Sequence, residues 1–295
     1  SVMSAPLFNE EFLQKIELLH VISKKVFAGS QQATRRAKRL GSGIEVRDFR
    51  PYVAGDDLRH IDWNYYAATR DLLLRLFEEE EDLHIYFLVD VSASMSIGGG
   101  EKLRYAKRVA GALAYIGLAN LDRVSVVPFG STPLGQLPPS RGRGQIWKVF
   151  SFLEQEWSDE RTDIGAALKR FAAQTKRPGL AVILSDFYDH AGIDAGVNAL
   201  RYQRFEPLLF QVWDEAEANP ALNGDLELVD CETKEGVRVT VTSRMLDDYR
   251  QAHARHMDRV ASFAASKALL HFRAPIQLPF DELVLQVFRA GGFLR

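Results

Sequence analysis

The chain has 295 residues, of which 46% are hydrophobic and 26% charged, and its formal net charge is −2. This composition is that of a globular protein with a sizeable core, and the near-neutral charge excludes a general attraction to nucleic acid or anionic membranes. One cysteine, Cys231, excludes an internal disulfide framework, and no apolar run reaches the roughly 20 residues of a membrane-spanning helix. We therefore expect a cytoplasmic protein with one large domain or two ordinary ones.

Residues 1–40 predict an N-terminal helix and a basic segment. Apolar side chains recur every three or four positions over 9–27, and Asn9 stands where an N-cap belongs. The basic run RRAKR (35–39) is interpreted as a solvated face rather than a phosphate-binding patch.

Residues 41–82 have a β-like, turn-rich pattern. GIEVRDF and LLLRLFE are candidate strands, and PYVAGDD supplies the Pro and Gly of a turn between them. The segment 55–63 also concentrates polar side chains, namely Asp56, Asp57, His60 and Asp62. Turn formation, with an ion pair between Asp62 and Arg59, explains them without a second site, and the role of this segment stays open.

The sequence pattern changes at residue 83, from which apolar strands alternate with helices. The candidate strands are LHIYFLVD, RVSVVPF, LAVILSD, EPLLFQVW and LLHF. The candidate helices are 101–119, 145–157, 163–175, 192–203, a long one from 243 and LPFDELVLQVFRA, with a Pro- and Gly-rich bend at 132–144. This alternation predicts a doubly wound α/β fold over 83–295, with a mostly parallel, Rossmann-like sheet covered on both faces. LELVD and VRVTV predict a hairpin over 225–241, which could pair with 41–82 in a small added β subdomain.

Three oxygen-bearing side chains follow the first of these strands. Asp90, Ser92 and Ser94 stand at alternate positions, so extended backbone would point them to one side. Ligands of open parallel sheets bind beyond the carboxyl ends of the strands. One carboxylate and two hydroxyls suit Mg²⁺ or Mn²⁺ and are poor ligands for zinc.

A magnesium ion takes about six oxygens, so other strand ends should contribute. Thr162 and Asp163 stand at the start of a predicted helix, and Asp186 ends another apolar strand. Each position alone also fits a helix cap or an ordinary turn. Their combination with the first cluster is what predicts a metal site.

DVSAS, with the later Thr162 and Asp186, resembles the metal-ion-dependent adhesion site of von Willebrand factor A domains. The segment from GSGIEVRDF to EEEED resembles the region before the A domain in the bacterial family called domain of unknown function fifty-eight. The two resemblances together cover about 41–295, and they imply a von Willebrand factor A-like domain over 83–295.

By this resemblance, Ser92, Ser94 and Thr162 would contact the cation. Asp90 and Asp186 would act directly or through water, and a partner's carboxylate would complete the shell. The cation would be Mg²⁺, with Mn²⁺ or Ca²⁺ as alternatives, and the family implies a MoxR-type AAA+ ATPase as a companion in protein remodelling or complex assembly.

The motif departs from the family at its third part. The chain has SDFYD where many A domains have TDG. Tyr188 or Asp189 could therefore alter the rim of the site or compete for the metal.

An enzyme would need a nucleophile or base near the metal. A phosphohydrolase of the haloacid dehalogenase type, with Asp90 as nucleophile, needs an acid two residues later, where this chain has Ser92. The loop IGGGEK (97–102) lacks the ending of a P-loop, and His253 and His256 have zinc spacing without an evident third ligand. We therefore expect a metal-dependent protein-binding module and not an enzyme. The alternatives are a phosphohydrolase and a scaffold that carries no cation in cells.

Overall fold

The computed structural model describes residues 6–40, 49–55, 58, 61–75, 83–130, 134–157, 163–222, 224–230, 235–291 and 293. The chain divides into two compact units, one of Ser1–Phe27 with Leu83–Arg295 and the other of Ala28–Asp82. The first 27 residues thus group with the sheet, whereas the sequence suggested a separate N-terminal segment of 40. No helix among the described residues combines the length and the apolarity needed to cross a membrane.

The strands are β1 (Phe49–Pro51), β2 (Leu73–Arg75), β3 (His84–Asp90), β4 (Arg123–Phe129), β5 (Leu137–Arg141), β6 (Leu180–Ser185), β7 (Glu206–Trp213), β8 (Gly224–Val229), β9 (Gly236–Val241) and β10 (Leu270–Pro275). The helices are α1 (Glu10–Leu40), α2 (Trp63–Thr69), α3 (Ala93–Ser96), α4 (Glu101–Ala119), α5 (Ile146–Leu153), α6 (Ile164–Gln174), α7 (Asp194–Tyr202), α8 (Glu215–Ala218), α9 (Ser243–Ser266) and α10 (Phe280–Ala290).

Six strands form the central sheet, in the order β10-β7-β6-β3-β4-β5. All neighbours are parallel except β5, which runs antiparallel to β4 at the edge. The chain moves outward from β3 in one direction through β4 and in the other through β6, so the strand order reverses between β3 and β6. The predicted doubly wound α/β fold is confirmed.

Helices cover both faces of the sheet because successive side chains of each strand point to opposite sides. Ile85, Phe87 and Val89 pack with α4, α5, α10 and the start of α1. Tyr86 and Leu88 pack with α6, α7 and α9. Every residue of β3 is buried, as expected of the central strand of a two-sided core.

The N-terminal residues form part of the first of these layers. Asn9 caps α1, since its side chain accepts a hydrogen bond of 2.9 Å from Phe12 N. Phe8 stacks on Phe150 of α5 with ring centroids 4.2 Å apart, and the fully buried Phe12 lies 4.6 Å from Phe280 of α10. The sequence predicted this helix only to residue 27, but its backbone continues to Leu40. The added residues are mostly good helix formers, and the next helix-breaking glycines are at 41 and 43.

Two elements differ from the sequence prediction. Helix α2 lies where a β-like pattern was expected, and the Asp62 carboxylate caps it by accepting hydrogen bonds of 3.1 Å from Asn64 N and Tyr65 N. Strand β5 lies where a bend was expected. Its two prolines are tolerated because an edge strand need not donate on its outer side. Asp56, Asp57, Arg59 and His60 lie outside the described residues.

The small strands form two separate pairs within the described part of the chain. β1 pairs antiparallel with β2, and β8 pairs antiparallel with β9. The hairpin predicted over 225–241 is thus present, in a sheet of its own.

Candidate metal centre

The candidate site lies where the strand order of the sheet reverses. Asp90 is the last residue of β3, Ser185 is the last of β6, and Asp186 follows it. The register pairs Val89 with Leu184, so Asp90 and Ser185 come next in two neighbouring strands. This reversal point, at the carboxyl ends of the strands, is where doubly wound folds bind ligands.

Asp90, at the end of β3, lies close to Ser92 and Ser94, although Ser94 belongs to the short helix α3 and not to the extended backbone that the sequence suggested. Ser92 N donates a hydrogen bond of 2.9 Å to Asp90 Oδ1, and the hydroxyl oxygens of Ser92 and Ser94 lie 3.0 Å apart. Asp90 and Ser92 are fully buried, and Ser94 is 8% exposed. The group is therefore fixed in place, with Ser94 nearest to solvent.

The end of β6 is bonded to the same group. Ser185 Oγ donates to Asp90 Oδ2 and accepts a hydrogen bond of 2.8 Å from Phe187 N. Phe187 has a φ of 58°, in the left-handed region that few non-glycine residues adopt. It stands where TDG has glycine, the residue that adopts this conformation at least cost, and here the position holds a buried aromatic side chain.

A buried lysine, which the sequence analysis missed, completes the centre. Lys102 Nζ lies 2.9 Å from Asp186 Oδ2 and 2.8 Å from Glu217 Oε1, and its side chain is only 2% exposed. It belongs to the first turn of α4, and Glu217 belongs to α8, which follows β7. One signal was available: Lys102 is in register with the apolar stripe of α4 through Ala106, Val109 and Leu113.

The charges of the centre do not balance. Burial, and then the negative charge of Asp186, raise the pKa of Asp90 to about 7, against hydrogen bonds from Ser185 and Ser92 that lower it. Burial lowers the pKa of Lys102, but Asp186 and Glu217 raise it by more, so the pKa is raised and the ammonium form is favoured. Burial also raises the pKa of Glu217. Asp186 and Glu217 already place two negative charges beside one ammonium, so ionisation of Asp90 adds a further negative charge that a divalent cation would stabilise.

Of the other candidate residues, Asp163 stands directly before α6 and Asp189 lies in the loop after β6. Thr162 lies outside the described residues. Asp163 caps α6 by accepting a hydrogen bond of 2.8 Å from Ala166 N. Asp189 accepts hydrogen bonds of 2.8 Å from Ile164 N and from Ala191 N. These bonds give Asp189 a capping role and leave its oxygens poorly placed to compete for a metal.

Helix α9 forms the far wall of the site. His256 Nε2 lies 2.9 Å from the backbone oxygen of Asp186, and its ring stacks on Tyr188 with centroids 4.0 Å apart. His253 instead packs near Trp213, at 5.7 Å between centroids. The two histidines therefore serve packing and anchoring, and zinc binding gains no support from their placement.

A cleft of about 910 Å³ opens between these elements, and its walls include Ser94, Lys102, Tyr188, Arg255 and Arg259. In the described part of the chain, no three His, Cys, Asp or Glu side chains converge as metal ligands, so a cation here would depend on hydroxyl oxygens. The donor chemistry of Asp90, Ser92 and Ser94 fits Mg²⁺, which accepts hard oxygens and keeps several waters.

The family described as "Protein of unknown function DUF58" matches residues 48–259. The chain belongs to this family. The match includes Asp90, Ser92, Ser94 and Asp186, so the candidate centre lies within the DUF58 region.

This DUF58 chain is similar to an uncharacterized protein of Mycobacterium tuberculosis, with 26% identity over 226 residues that cover 75% of this chain and 71% of the relative. A solved aerotolerance-related membrane protein from Bacteroides fragilis is 16% identical, covers 70% of this chain and 99% of its own, and has a TM-score of 0.45. BatB from Bacteroides thetaiotaomicron is 14% identical, covers 70% and 96% respectively, and has a TM-score of 0.44.

Proposed function

We propose that this DUF58 chain is a protein-binding module whose partner supplies a carboxylate to a divalent cation held by Asp90, Ser92 and Ser94. The observation that carries the proposal is the convergence of these three side chains beside an excess of buried negative charge. Mg²⁺ fits best, with Mn²⁺ or Ca²⁺ as alternatives. Thr162 would add a hydroxyl, and Asp186 would act directly or through water.

The charges explain why the site would still take an outside anion. When bound, the cation supplies two positive charges at the mouth of a partly dry cleft. Asp90 and Asp186 only just neutralise it, and Lys102 already satisfies part of the charge of Asp186. A third carboxylate therefore gains electrostatic stabilisation on entering.

The placement of Asp90 supports binding over phosphoryl chemistry. The residue is fully buried, and its two carboxylate oxygens accept hydrogen bonds from Ser92 N and from the Ser185 hydroxyl. A nucleophile must reach its substrate, and a carboxylate held in this way has little freedom to do so. We therefore propose a module that is not an enzyme.

One observation favours the alternative that the chain is a scaffold whose candidate site holds no cation. Lys102 brings a permanent positive charge to within 2.9 Å of Asp186, as a bound ion would do. The scaffold is therefore the second candidate, and metal titration separates it from the first.

The partner proposal rests on the family resemblance alone. A MoxR-type AAA+ ATPase, which remodels other proteins, is the proposed companion, and a cytoplasmic location goes with it. The cleft beside Ser94 is large enough to admit a side chain from such a partner.

Titration calorimetry with Mg²⁺ and Mn²⁺ tests the metal half of the proposal. We expect saturable heat with the natural chain and none with Asp90→Ala or Ser92→Ala, because each substitution removes a hard oxygen ligand. Equal heats from all three would reject the site. Hydrolysis of p-nitrophenyl phosphate by the natural chain, lost in Asp90→Asn, would instead favour the phosphohydrolase.

Capture of the MoxR-type ATPase on immobilised chain tests the partner half. We expect retention in Mg²⁺ and release by a chelator. If the ATPase were retained equally with and without the chelator, its binding would not depend on the cation.

A further inference from the structure

We infer that the cleft beside the metal centre recognises a partner segment with two acidic side chains, one for the cation and a second for Arg255 and Arg259. The inference rests on the proposed function for the first acid. It adds a second contact, on a helix that supplies no metal ligand, and thereby states which kind of peptide the module selects.

Both arginines line the cleft that Ser94 of the metal centre also lines. Arg255 and Arg259 line the cleft of about 910 Å³ together with Ser94 and Lys102. They stand four residues apart on α9, so they are neighbours on one face of the helix, and both are exposed. A segment lying in the cleft would meet them while one of its side chains reaches the centre.

Helix α9 is held against the metal centre by a residue between the two arginines. His256 is 9% exposed, and its Nε2 lies 2.9 Å from the backbone oxygen of Asp186. Its ring also stacks on Tyr188 of the same loop, at 4.0 Å. The backbone of α9 that carries the two arginines is therefore held beside the metal centre by this packing.

The acids in the cleft wall are already bonded within the chain. Glu217 is bonded to Lys102, Asp163 and Asp189 accept from backbone N–H groups of or beside α6, and Asp230 also has an interaction partner. Over the part of the chain that the structure describes, neither Arg255 nor Arg259 has an ion pair with an acidic side chain. Both guanidinium groups are therefore free to donate hydrogen bonds to a ligand in the cleft.

A carboxylate suits these two side chains better than other groups do. The guanidinium group presents a planar fork of donors that matches a carboxylate in two hydrogen bonds. Because the arginines are exposed, each contact should add little affinity and should weaken with salt. Together they should favour segments with the second acid by a modest factor.

Selection from a phage-displayed library of random peptides tests the inference on the full chain in Mg²⁺. The natural chain should enrich peptides with two acidic residues. The double variant Arg255→Gln, Arg259→Gln should enrich peptides with one. Arg250→Gln is the control, because Arg250 lies on the same helix, pairs with Asp247 at 3.0 Å and is absent from the cleft wall. It should select as the natural chain does.

Affinity for one selected peptide gives the second measurement. We expect the double variant to bind the two-acid peptide about tenfold more weakly, from roughly threefold for each exposed contact. Changing the second acid of the peptide to its amide should cause the same loss on the natural chain and no further loss on the variant.

Three results would decide against parts of this scheme. Enrichment of single-acid peptides by the natural chain would overturn the inference and leave the proposed function standing. Equal affinity of the double variant for the two-acid peptide would also overturn it. Arginine-dependent selection that persists in a chelator would support the arginine contact and count against the proposed function.

Discussion

Lys102 is the side chain that most constrains the candidate centre. A lysine that is 2% exposed keeps its charge only because two carboxylates lie within 2.9 Å of it. The same ammonium stands beside Asp186, which the proposed cation would also use. The two positive charges therefore compete for one acid.

Replacing Lys102 by Met should separate stability from metal binding. In a chelator, loss of the ammonium leaves the buried Asp186 and the partly buried Glu217 without their cationic partner, so the free energy of unfolding should fall by about 3–5 kcal/mol. Mg²⁺ should bind at least about tenfold more tightly, because a charge at close range is worth several kcal/mol even at moderate screening. Urea unfolding and calorimetry measure the two effects.

Lys107→Met is the matched control. Lys107 is also on α4 and 6% exposed, but it donates to the backbone oxygen of Gln155 and lies over the ring of Trp157. Its loss should lower stability and leave Mg²⁺ affinity unchanged. Unaltered Mg²⁺ affinity in Lys102→Met as well would show that the ammonium does not compete.

Asp90 should give the metal-free chain an unusual pH dependence. Burial and the charge of Asp186 raise its pKa to about 7, from the ordinary 3.8. The folded state therefore binds this proton more tightly than the unfolded state does. Without metal, the Asp90 contribution to stability is present below about pH 4 and is lost as the pH rises to about 7, at no more than about 1.4 kcal/mol per unit.

Urea unfolding in a chelator, at steps between about pH 5 and pH 8, measures this slope. Asp90→Asn should flatten it, because the amide does not titrate. Mg²⁺ affinity of the natural chain should rise over the same interval, since the cation needs the carboxylate. If the pH dependence of the free energy of unfolding were unchanged in Asp90→Asn, it would come from groups other than Asp90.

At the scale of elements, the loop after β6 and the start of α6 are joined through Asp189. Its carboxylate accepts from Ile164 N and Ala191 N, so one buried side chain fixes the loop that carries Asp186 against the helix that follows Thr162. The sequence departs from TDG in this loop, and a cap explains the added acid.

Substitutions of Asp189 distinguish a cap from a metal ligand. Asp189→Ala should lower the free energy of unfolding by about 1–2 kcal/mol, and Asp189→Asn by less, because asparagine is also a good cap. Asp163→Ala, at an exposed cap of the same helix, should lower the free energy of unfolding by less than Asp189→Ala does. If Asp189 were a ligand, Asp189→Asn would weaken Mg²⁺ binding while sparing stability.

The sheet and the Asp90 cluster could be predicted because they depend on local pattern. β3 and β6 are unbroken apolar runs that end in oxygen-bearing residues, and parallel strands bring such ends to one edge. Strand β5 could not be predicted, because only its position at the edge of the sheet allows the prolines of LPPSR in a strand. Helix α2 could not be predicted either, because a single cap at Asp62 outweighs the aromatic, strand-like content of WNYYAAT.

The pairing of Lys102 with Glu217 could not be predicted either, despite the register of Lys102 with the stripe of α4. The two residues are 115 positions apart, and only the order of the strands brings α4 and α8 together. The same holds for α9, whose contact with Asp186 depends on the whole sheet being in place.

At the scale of the molecule, aromatic side chains before residue 28 complete the core of the sheet domain. Phe12 is fully buried and packs against Phe150 and Phe280. Removal of its ring leaves a cavity between helices on one face of the sheet.

Phe12→Ala should lower the free energy of unfolding by about 3–5 kcal/mol, as loss of a buried aromatic ring generally does. Leu18→Ala is the control on the same helix: its side chain is 61% exposed, and the expected change is within about 0.5 kcal/mol. Thermal or urea unfolding measures both. A small effect of Phe12→Ala would mean that the first turns of α1 dock only loosely.

The contact between Phe12 and Phe280 also bears on how the chain is made. A ribosome synthesises Phe12 first, and 267 further residues must follow before its partner ring emerges. Until then Phe12 can pack against Phe8 and Phe150 but not against α10, so part of its apolar surface stays exposed to solvent and to chaperones. This layer of the core is therefore completed only after α10 has been synthesised, and a stop before α10 would leave apolar side chains of α1 and of the sheet uncovered.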